Sequence, residues 1–405
     1  MSFNTIIIYI ISYLTLFISL VYIITFLKSK SKLKSEITKE FPFISVVIPA
    51  YNKEEVIVKT INSVINLDYP KDKLEIIVVD DGSTDKTYRI ANQFENENLK
   101  VFTKENKGKS NTLNFGIKIA KGDLVLCLDA DTFVEKDLLK KAIKHFSDPE
   151  VGAVLSTLKP FKNESFFEKI QIIEYNLASF IRKILSLIDS LPAAPACSIY
   201  RRNFFKKYGY FEEGNLTEDF EMALRVHSKN YKIKYILDST AYTEVPKKFK
   251  GLARQRIRWY YGTLYNLKKY RNLLSLNYGN LGAFFMPVAM LFPVIFVFLF
   301  FFISYNLISE IYSRIHFLSL INFRPTFTFE KILFLYFITD PITLLFILLF
   351  FISLFLFYFA RKHTKEKSKI TVFNYLIYLI VYPFLTFYFW TISFFRFLIQ
   401  KEPKW

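Results

Sequence analysis

Three short segments set carboxylates at the ends of apolar runs. Asp80-Asp81-Gly82-Ser83 follows Leu74–Val79, Asp129-Ala130-Asp131 follows Asp123–Leu128, and Ala50-Tyr51-Asn52 follows Ile44–Pro49. In extended backbone, side chains two residues apart share a face, so Asp129 and Asp131 point together and Ala130 points away. Two carboxylates so placed suit a hard divalent cation. Mg2+ or Mn2+ uses one or two of them and completes its shell with water and substrate phosphates. An isolated Asp-x-Asp is more plainly a solvated turn or a helix cap. Its place beside Asp80 and Asp81 favours the metal.

Two further clusters carry chemistry. In Thr217-Glu218-Asp219 the acids open a helical pattern, with Asn215 and Glu218 at capping-box-like spacing and Ala223, Leu224 and Val226 following. Asp219 there is either a general base or part of an ordinary acidic first turn. A helix N-terminus stabilises its ionised form, while the neighbouring Glu218 raises its pKa. Gln255, Arg258 and Trp259 stand at i, i+3 and i+4, so they share one helix face. A planar guanidinium suits phosphate oxygens, and an aromatic face suits a sugar ring. Lys247, Lys248 and Lys250 equally fit a basic amphipathic helix lying on a membrane, and both readings can hold together.

Position depends on the elements. Ile44–Pro49, Leu74–Val79, Leu99–Thr103 and Asp123–Leu128 read as strands; Lys53–Leu67, Ser83–Asn96, Lys109–Lys121 and Glu135–Phe146 read as helices. This βα alternation predicts a mostly parallel sheet with helices on both faces, which binds ligands at the carboxyl ends of its strands. Phe166–Leu191 has apolar residues at helical spacing and is expected to be an interfacial helix.

The two ends are different. A bilayer span needs about 20 apolar residues. Ile6–Leu27, roughly Leu281–Leu307, Pro341–Ala360 and about Phe373–Ile399 qualify, with Asp340 as the cap of the third and Ile332–Thr339 as a short interfacial piece. The first run is too long, and lacks the small-residue cleavage site, to be a signal peptide. The expected organisation is a span and basic segment over 1–40, a cytoplasmic domain over 41–278, and a membrane region over 279–405. The basic stretches Lys28–Glu40 and Arg361–Lys369 place their loops in the cytoplasm by the positive-inside rule, and four spans then put both termini outside, a placement that Lys401 and Lys404 weakly oppose. The net charge of +18 then follows from juxtamembrane lysines facing anionic membrane lipids. No nucleic-acid-binding signature accompanies it, so nucleic acid is not an expected partner. Cys127 and Cys197 lie far apart and Cys127 sits in an apolar run, which predicts a buried free thiol and no disulfide framework. Four scattered histidines argue against a zinc site.

The motifs PAYNKEE, VVDDGSTDKT, NKGKSNTLNFG, LDADT, LTEDFEMALR and QRIRW resemble, in order and spacing, the family 2 glycosyltransferases. The likeness is to the membrane-bound processive branch that includes cellulose, hyaluronan and poly-N-acetylglucosamine synthases, and it runs from about Ile44 to Gly262. It implies a GT-A-like α/β domain, a UDP-sugar donor, Mg2+ or Mn2+, and a polysaccharide or lipid-linked acceptor. By this likeness Tyr51 and Asp81 hold the uridine base, with Asp80 adjoining. Lys109 lies near the diphosphate, Asp129 near the donor, and Asp131 on the metal. Asp219, beside Glu218, is the general base. Gln255 and Arg258 steady the diphosphate, and Trp259 lines the acceptor site. The sequence departs from the family at Lys53, where an acid is common, at Leu191–Ser198, where a glycine-containing loop is usual, and in its small membrane region. Processive synthesis and transfer of a single sugar to a lipid-linked acceptor both remain open. So, against the retained acids, does a transporter or structural protein with an idle site.

Overall fold

Burial on both faces makes the apolar runs into inner strands. In β1 (Ile44–Ala50) all seven residues are buried. Ile44, Val46 and Ile48 enter one core and Val47 the other. Each such side chain contributes about 1.5–3 kcal/mol on leaving water. The computed structural model describes residues 3–29, 40–162, 164–192, 196–321, 341–366, 368 and 370–403. The α/β region follows β1 with α2 (Ile57–Ile65), β2 (Leu74–Asp80), α3 (Thr87–Asn92), β3 (Leu99–Thr103), α4 (Lys109–Ile119), β4 (Leu124–Leu128), β5 (Thr132–Val134) and α5 (Leu138–Ile143). It continues with β6 (Val151–Pro160), α6 (Phe166–Leu187), β7 (Cys197–Arg201), α7 (Arg202–Tyr208), α8 (Glu218–Ser228), β8 (Lys232–Thr243) and α9 (Phe249–Lys269). One core takes α2 and α5 through Ile57, Ile61, Leu138 and Leu139. The other takes α4, α7 and α8 through Leu113, Phe204 and Met222. The result is three layers, helices on sheet on helices.

The strand order is β3-β2-β1-β4-β7-β6-β8-β5. The sheet is mixed but mostly parallel, as expected: β3, β2, β1, β4, β6 and β8 run one way, and β7 and β5 the other. β3, β2, β1 and β4 are parallel, whereas β7 is antiparallel to both β4 and β6, and β5 is antiparallel to β8. For β5 the cause is connection length. A parallel crossover needs a dozen or more residues, and only Asp129-Ala130-Asp131 separates β4 from β5. That turn throws β5 to the far edge and leaves both aspartates on the rim.

α2, α3 and α5 start later than the sequence patterns imply, whereas α4 and α6 start at Lys109 and Phe166 as expected. Asn52 takes a positive φ of 49°, a conformation that asparagine tolerates better than most residues. Its side-chain oxygen accepts from Thr84 N–H at 2.9 Å, so α2 begins only at Ile57. The expected capping of α8 by Asn215 is also corrected. The N-cap is Thr217, and Asn215 Oδ1 accepts from the Thr217 N–H at 3.0 Å. α6 does carry a capping box, formed by Ser165 and Glu168.

Among the described residues, four helices are long and apolar enough to cross a bilayer: α1 (Phe3–Ser29), α10 (Met286–Leu320), α11 (Pro341–His363) and α12 (Val372–Leu398). α10 runs 13 residues past the expected end at Leu307. Its 35 residues extend about 52 Å at 1.5 Å per residue, against a hydrocarbon core of about 30 Å. Glu310 and Arg314 pair at i, i+4 (2.6 Å) and so do not end the helix. Asp340, Ile332–Thr339, Lys404 and most lysines of the first basic segment lie outside the described residues. The membrane helices are fastened to the α/β region. Tyr260 of α9 stacks on Trp390 of α12 at 4.2 Å, and Lys159 of β6 reaches the Thr364 carbonyl at 2.6 Å and Glu366 at 3.3 Å.

Candidate active site

The in-register ends of β1 and β2, Ala50 opposite Asp80, bring the first two motif loops side by side. Gly82 (φ +69°) lets the second loop touch the segment before α4, since a Cβ there would lie 3.0 Å from Asn106 N. Asp81, at the base of that contact, accepts from the Lys107 and Gly108 N–H groups at 3.0 and 2.9 Å and pairs with Lys104 at 2.5 Å. Burial pushes its carboxyl up, but Lys104 and these N–H groups outweigh that and hold it below the usual range. A cleft of about 490 Å³ opens above, lined by Tyr51, Lys53, Asp81, Lys109, Asp129, Asp131 and Arg258 among others.

The turn after β4 is held by backbone. Asp129 N–H donates to the Ala196 carbonyl at 3.0 Å, and Thr60 Oγ1 to the Ala130 carbonyl at 2.8 Å. Asp129, Ala130 and Asp131 all border the cleft, and Ala130 is at the same time buried against the core, so it does not point simply away from the two aspartates. Each aspartate already holds an ammonium. Lys109 Nζ lies 2.7 Å from Asp129 and 3.1 Å from Glu218, and Lys53 Nζ lies 2.6 Å from Asp131. Burial raises the Asp129 pKa, with Lys109 opposing and Asp131 adding to it. Burial alone would lower the Lys109 pKa; Asp129 and Glu218 reverse that and keep it charged.

Asp219 stands in the first turn of α8 and accepts from the Phe220 N–H at 2.7 Å. It lines a narrow crevice with Glu218, Tyr200 and Cys127. Lys109 and Asp129 border both this crevice and the cleft. Burial, then the Glu218 charge, push the Asp219 carboxyl up to about 6 against the pull of Lys109. A carboxyl poised there is suited to take a proton near neutral pH.

Not every sequence-assigned residue meets in the cleft. Asp80 is buried, accepts from Ser83 N–H and Thr103 Oγ1 at 3.1 and 3.0 Å, and is not among the cleft-lining residues. Gln255 and Trp259 also lie outside that lining. Gln255 Oε1 accepts from Arg256 at 2.6 Å, and Trp259 packs against the core with the Arg256 guanidinium 4.3 Å from its ring. Arg256 is the second residue of QRIRW, beside the positions to which the likeness gives a role. It is fully buried, pairs with Glu174 of α6 at 2.5 Å and approaches Tyr382 Oη at 3.4 Å. The available signal was Glu174, a lone acid in the apolar stripe of α6. Cys127 and Cys197 are both buried free thiols.

The donor set fits a divalent cation as a half-site. Two carboxylates suffice when a diphosphate completes the shell. Among the described residues no three His, Cys, Asp or Glu side chains converge. Such an ion has to displace Lys53 from Asp131.

Comparison with known proteins adds to this geometry. Residues 45–209 match the family described as Glycosyl transferase family 2. The poly-beta-1,6-N-acetyl-D-glucosamine synthase of Staphylococcus aureus (strain COL) is 34% identical over 228 residues, 55% of either chain. That of Staphylococcus epidermidis is 35% identical over 224 residues, 54% of either chain. The chain spans about half the length of the curated relatives it matches. The mannosyltransferase PcManGT from Pyrobaculum calidifontis, solved with GDP-Man and Mn2+, aligns over 98% of this chain and 100% of its own. At 18% identity and a TM-score of 0.55 it shows a shared fold. The fold is thus GT-A-like, with the mixed sheet described above.

Proposed function

From the premise that residues 45–209 form a family 2 glycosyltransferase domain, we propose that this protein transfers a sugar from a UDP-sugar, with inversion, to a growing polysaccharide at a membrane. The observation that carries the reading is the division of labour across Lys109 and Asp129. Arg258, Asp129 and Asp131 line the cleft on one side, and Asp219 lies in the crevice on the other. In this scheme the acceptor oxygen bonds to the sugar C1 as the C1–O bond to the diphosphate breaks. Asp219 receives the acceptor proton, and Arg258 and Lys109 meet the charge that develops on the leaving diphosphate. Tyr51 and Asp81 hold the base, and Trp259 meets the acceptor. A divalent cation held by Asp129 and Asp131 supplies further positive charge to the diphosphate. Polymer synthesis is favoured by the similarity to named synthases and by four helices able to span a bilayer.

Membrane vesicles test function and orientation together. With the domain in the cytoplasm, as the basic loops imply, inside-out vesicles consume UDP-sugar and yield a product that lengthens with time. Sealed right-side-out vesicles do not. Turnover in both kinds of vesicle overturns the orientation. A single organic-extractable product of constant mass replaces polymer synthesis with one-sugar transfer to a lipid, and no turnover with any UDP-sugar removes the reading.

Lys53 bears on the metal. Its pair with Asp131 is partly exposed, and such pairs are worth roughly 0.2–1 kcal/mol. Lys53→Ala is therefore expected to tighten Mn2+ binding to the UDP-bound protein by up to about fivefold, since 1.4 kcal/mol is a factor of ten. Electron paramagnetic resonance of free Mn2+ measures this directly. Equal or weaker binding would show that Lys53 does not compete for the ion.

A further inference from the structure

The turn that leads into Asp219 has one backbone bond from its own helix, Glu221 N–H to the Thr217 carbonyl at 3.0 Å. Its N-cap, Thr217, makes no side-chain capping bond. It is also held from α9. Asn266, fully buried, donates through Nδ2 to Thr217 Oγ1 at 2.9 Å and to the Thr217 carbonyl at 3.3 Å. It also exchanges amide bonds with Asn215 at 2.8 and 3.2 Å, and Asn215 in turn accepts from the Thr217 N–H. One helical turn earlier, Gly262 presents bare backbone to the same threonine. A Cβ at Gly262 would overlap Thr217 Oγ1 and stand 2.6 Å from Cγ2 and 3.0 Å from Cβ.

Arg258, Gly262 and Asn266 are spaced i, i+4 and i+8, so they form one stripe of α9, about 12 Å long at 1.5 Å per residue. One end of the stripe reaches the cleft through Arg258, and the other grips the turn that leads into Asp219. We propose that Gly262 and Asn266 are positioning residues for the transfer step: α9 acts as a rigid gauge that fixes the Asp219 carboxylate relative to Arg258. This rests on the reading of Asp219 as the base.

A purely architectural role for these contacts has less support, because α8 is secured elsewhere. Glu221, fully buried, accepts from Tyr270 Oη at 2.5 Å, and Arg225 donates to the Tyr210 carbonyl at 2.6 Å. The helix keeps these anchors when Asn266 or Gly262 is changed. What changes is the height of the turn. Accommodating a methyl group at Gly262 requires Thr217 to retreat by about 1 Å, and a displacement of that size at a reacting group can cost about 10²-fold.

The test uses the full chain in detergent. Gly262→Ala is expected to lower kcat for transfer about 10²-fold and Asn266→Ala about tenfold, with the donor KM held within about threefold and UDP binding by calorimetry unchanged. Thr217→Ala removes both overlapping atoms. The Gly262→Ala/Thr217→Ala double variant should therefore be no slower than Thr217→Ala alone, although the single changes each cost activity. Additive losses in the double variant, or losses of kcat and UDP binding together, overturn the gauge. If Gly262→Ala does not fold, the kcat-against-KM split in Asn266→Ala decides alone, and a wild-type kcat there overturns the proposal. Asp219→Asn belongs in the same series. If it retains transfer, the base assignment is wrong. If it is inactive while Gly262→Ala and Asn266→Ala have wild-type kcat, only the gauge fails.

Discussion

Asp219→Asn is expected to reduce glycosyl transfer by about 10²-fold or more, the scale on which a positioned general base acts, while donor binding persists. The amide is nearly the same size as the carboxylate and keeps an oxygen for the Phe220 N–H, so the turn is preserved and only proton acceptance is lost. Donor affinity survives because Asp219 lines the crevice and not the cleft. The same group sets the acid limb of the wild-type rate. Burial, then Glu218, lift its pKa to about 6, with Lys109 pulling the other way and Asp129 adding to the rise. A raised carboxyl pKa means that the base is lost at a higher pH than usual. kcat should thus fall as pH drops through about 6, and the residual rate of Asp219→Asn should lack that limb. Initial rates of UDP release across the acid range read both effects. Near-normal transfer by the purified variant would remove Asp219 from the mechanism.

Arg256→Ala should destabilise the protein by about 3–5 kcal/mol, the usual cost of removing one partner from a buried ion pair. The Arg256 side chain is wholly buried and that of Glu174 is only 20% exposed, so the orphaned carboxylate gains little water. The change also strips Gln255 of its donor and Trp259 of its cation–π contact, together with the approach to Tyr382 of α12. At roughly 2–4 °C per kcal/mol for a domain of this size, the melting temperature in detergent should fall by about 6–20 °C. Arg256→Lys should recover part of this, since it keeps the charge but not the planar fork. An unchanged melting temperature in Arg256→Ala would show that the pair contributes nothing to the fold.

Much of this molecule is legible from local pattern. Apolar runs bounded by Pro49, Asp80 and Asp129 become strands because burial on both faces tolerates nothing else. Four stretches of about 20 apolar residues become helices fit for a bilayer because backbone groups in lipid can be satisfied only internally. The acids at the strand ends are legible because they directly follow those runs in the chain. These features depend on near neighbours in sequence, and periodicity reports near neighbours.

Pairings across the fold are another matter. Lys53 meets Asp131 across 78 positions, and Asn266 meets Thr217 across 49. Every lysine near the rim has the same formal claim on every aspartate until the sheet order assigns them. Cations on more than one side of α9 give the same helical period whichever side turns inward. Only the packing of α9 against α6 and α12 selects Arg256 for Glu174 and leaves Arg258 to the cleft. The β4–β5 turn makes the same point. Its residues predict an acidic rim, but the three residues after it, Thr132–Val134, become an antiparallel edge strand only because β8 is there to pair with them. The sequence by itself therefore determined the chemical inventory and the elements that carry it, through short-range period and burial. The tertiary structure decided which charge neutralises which and how the base is held, because those energies depend on distances between segments far apart in the chain.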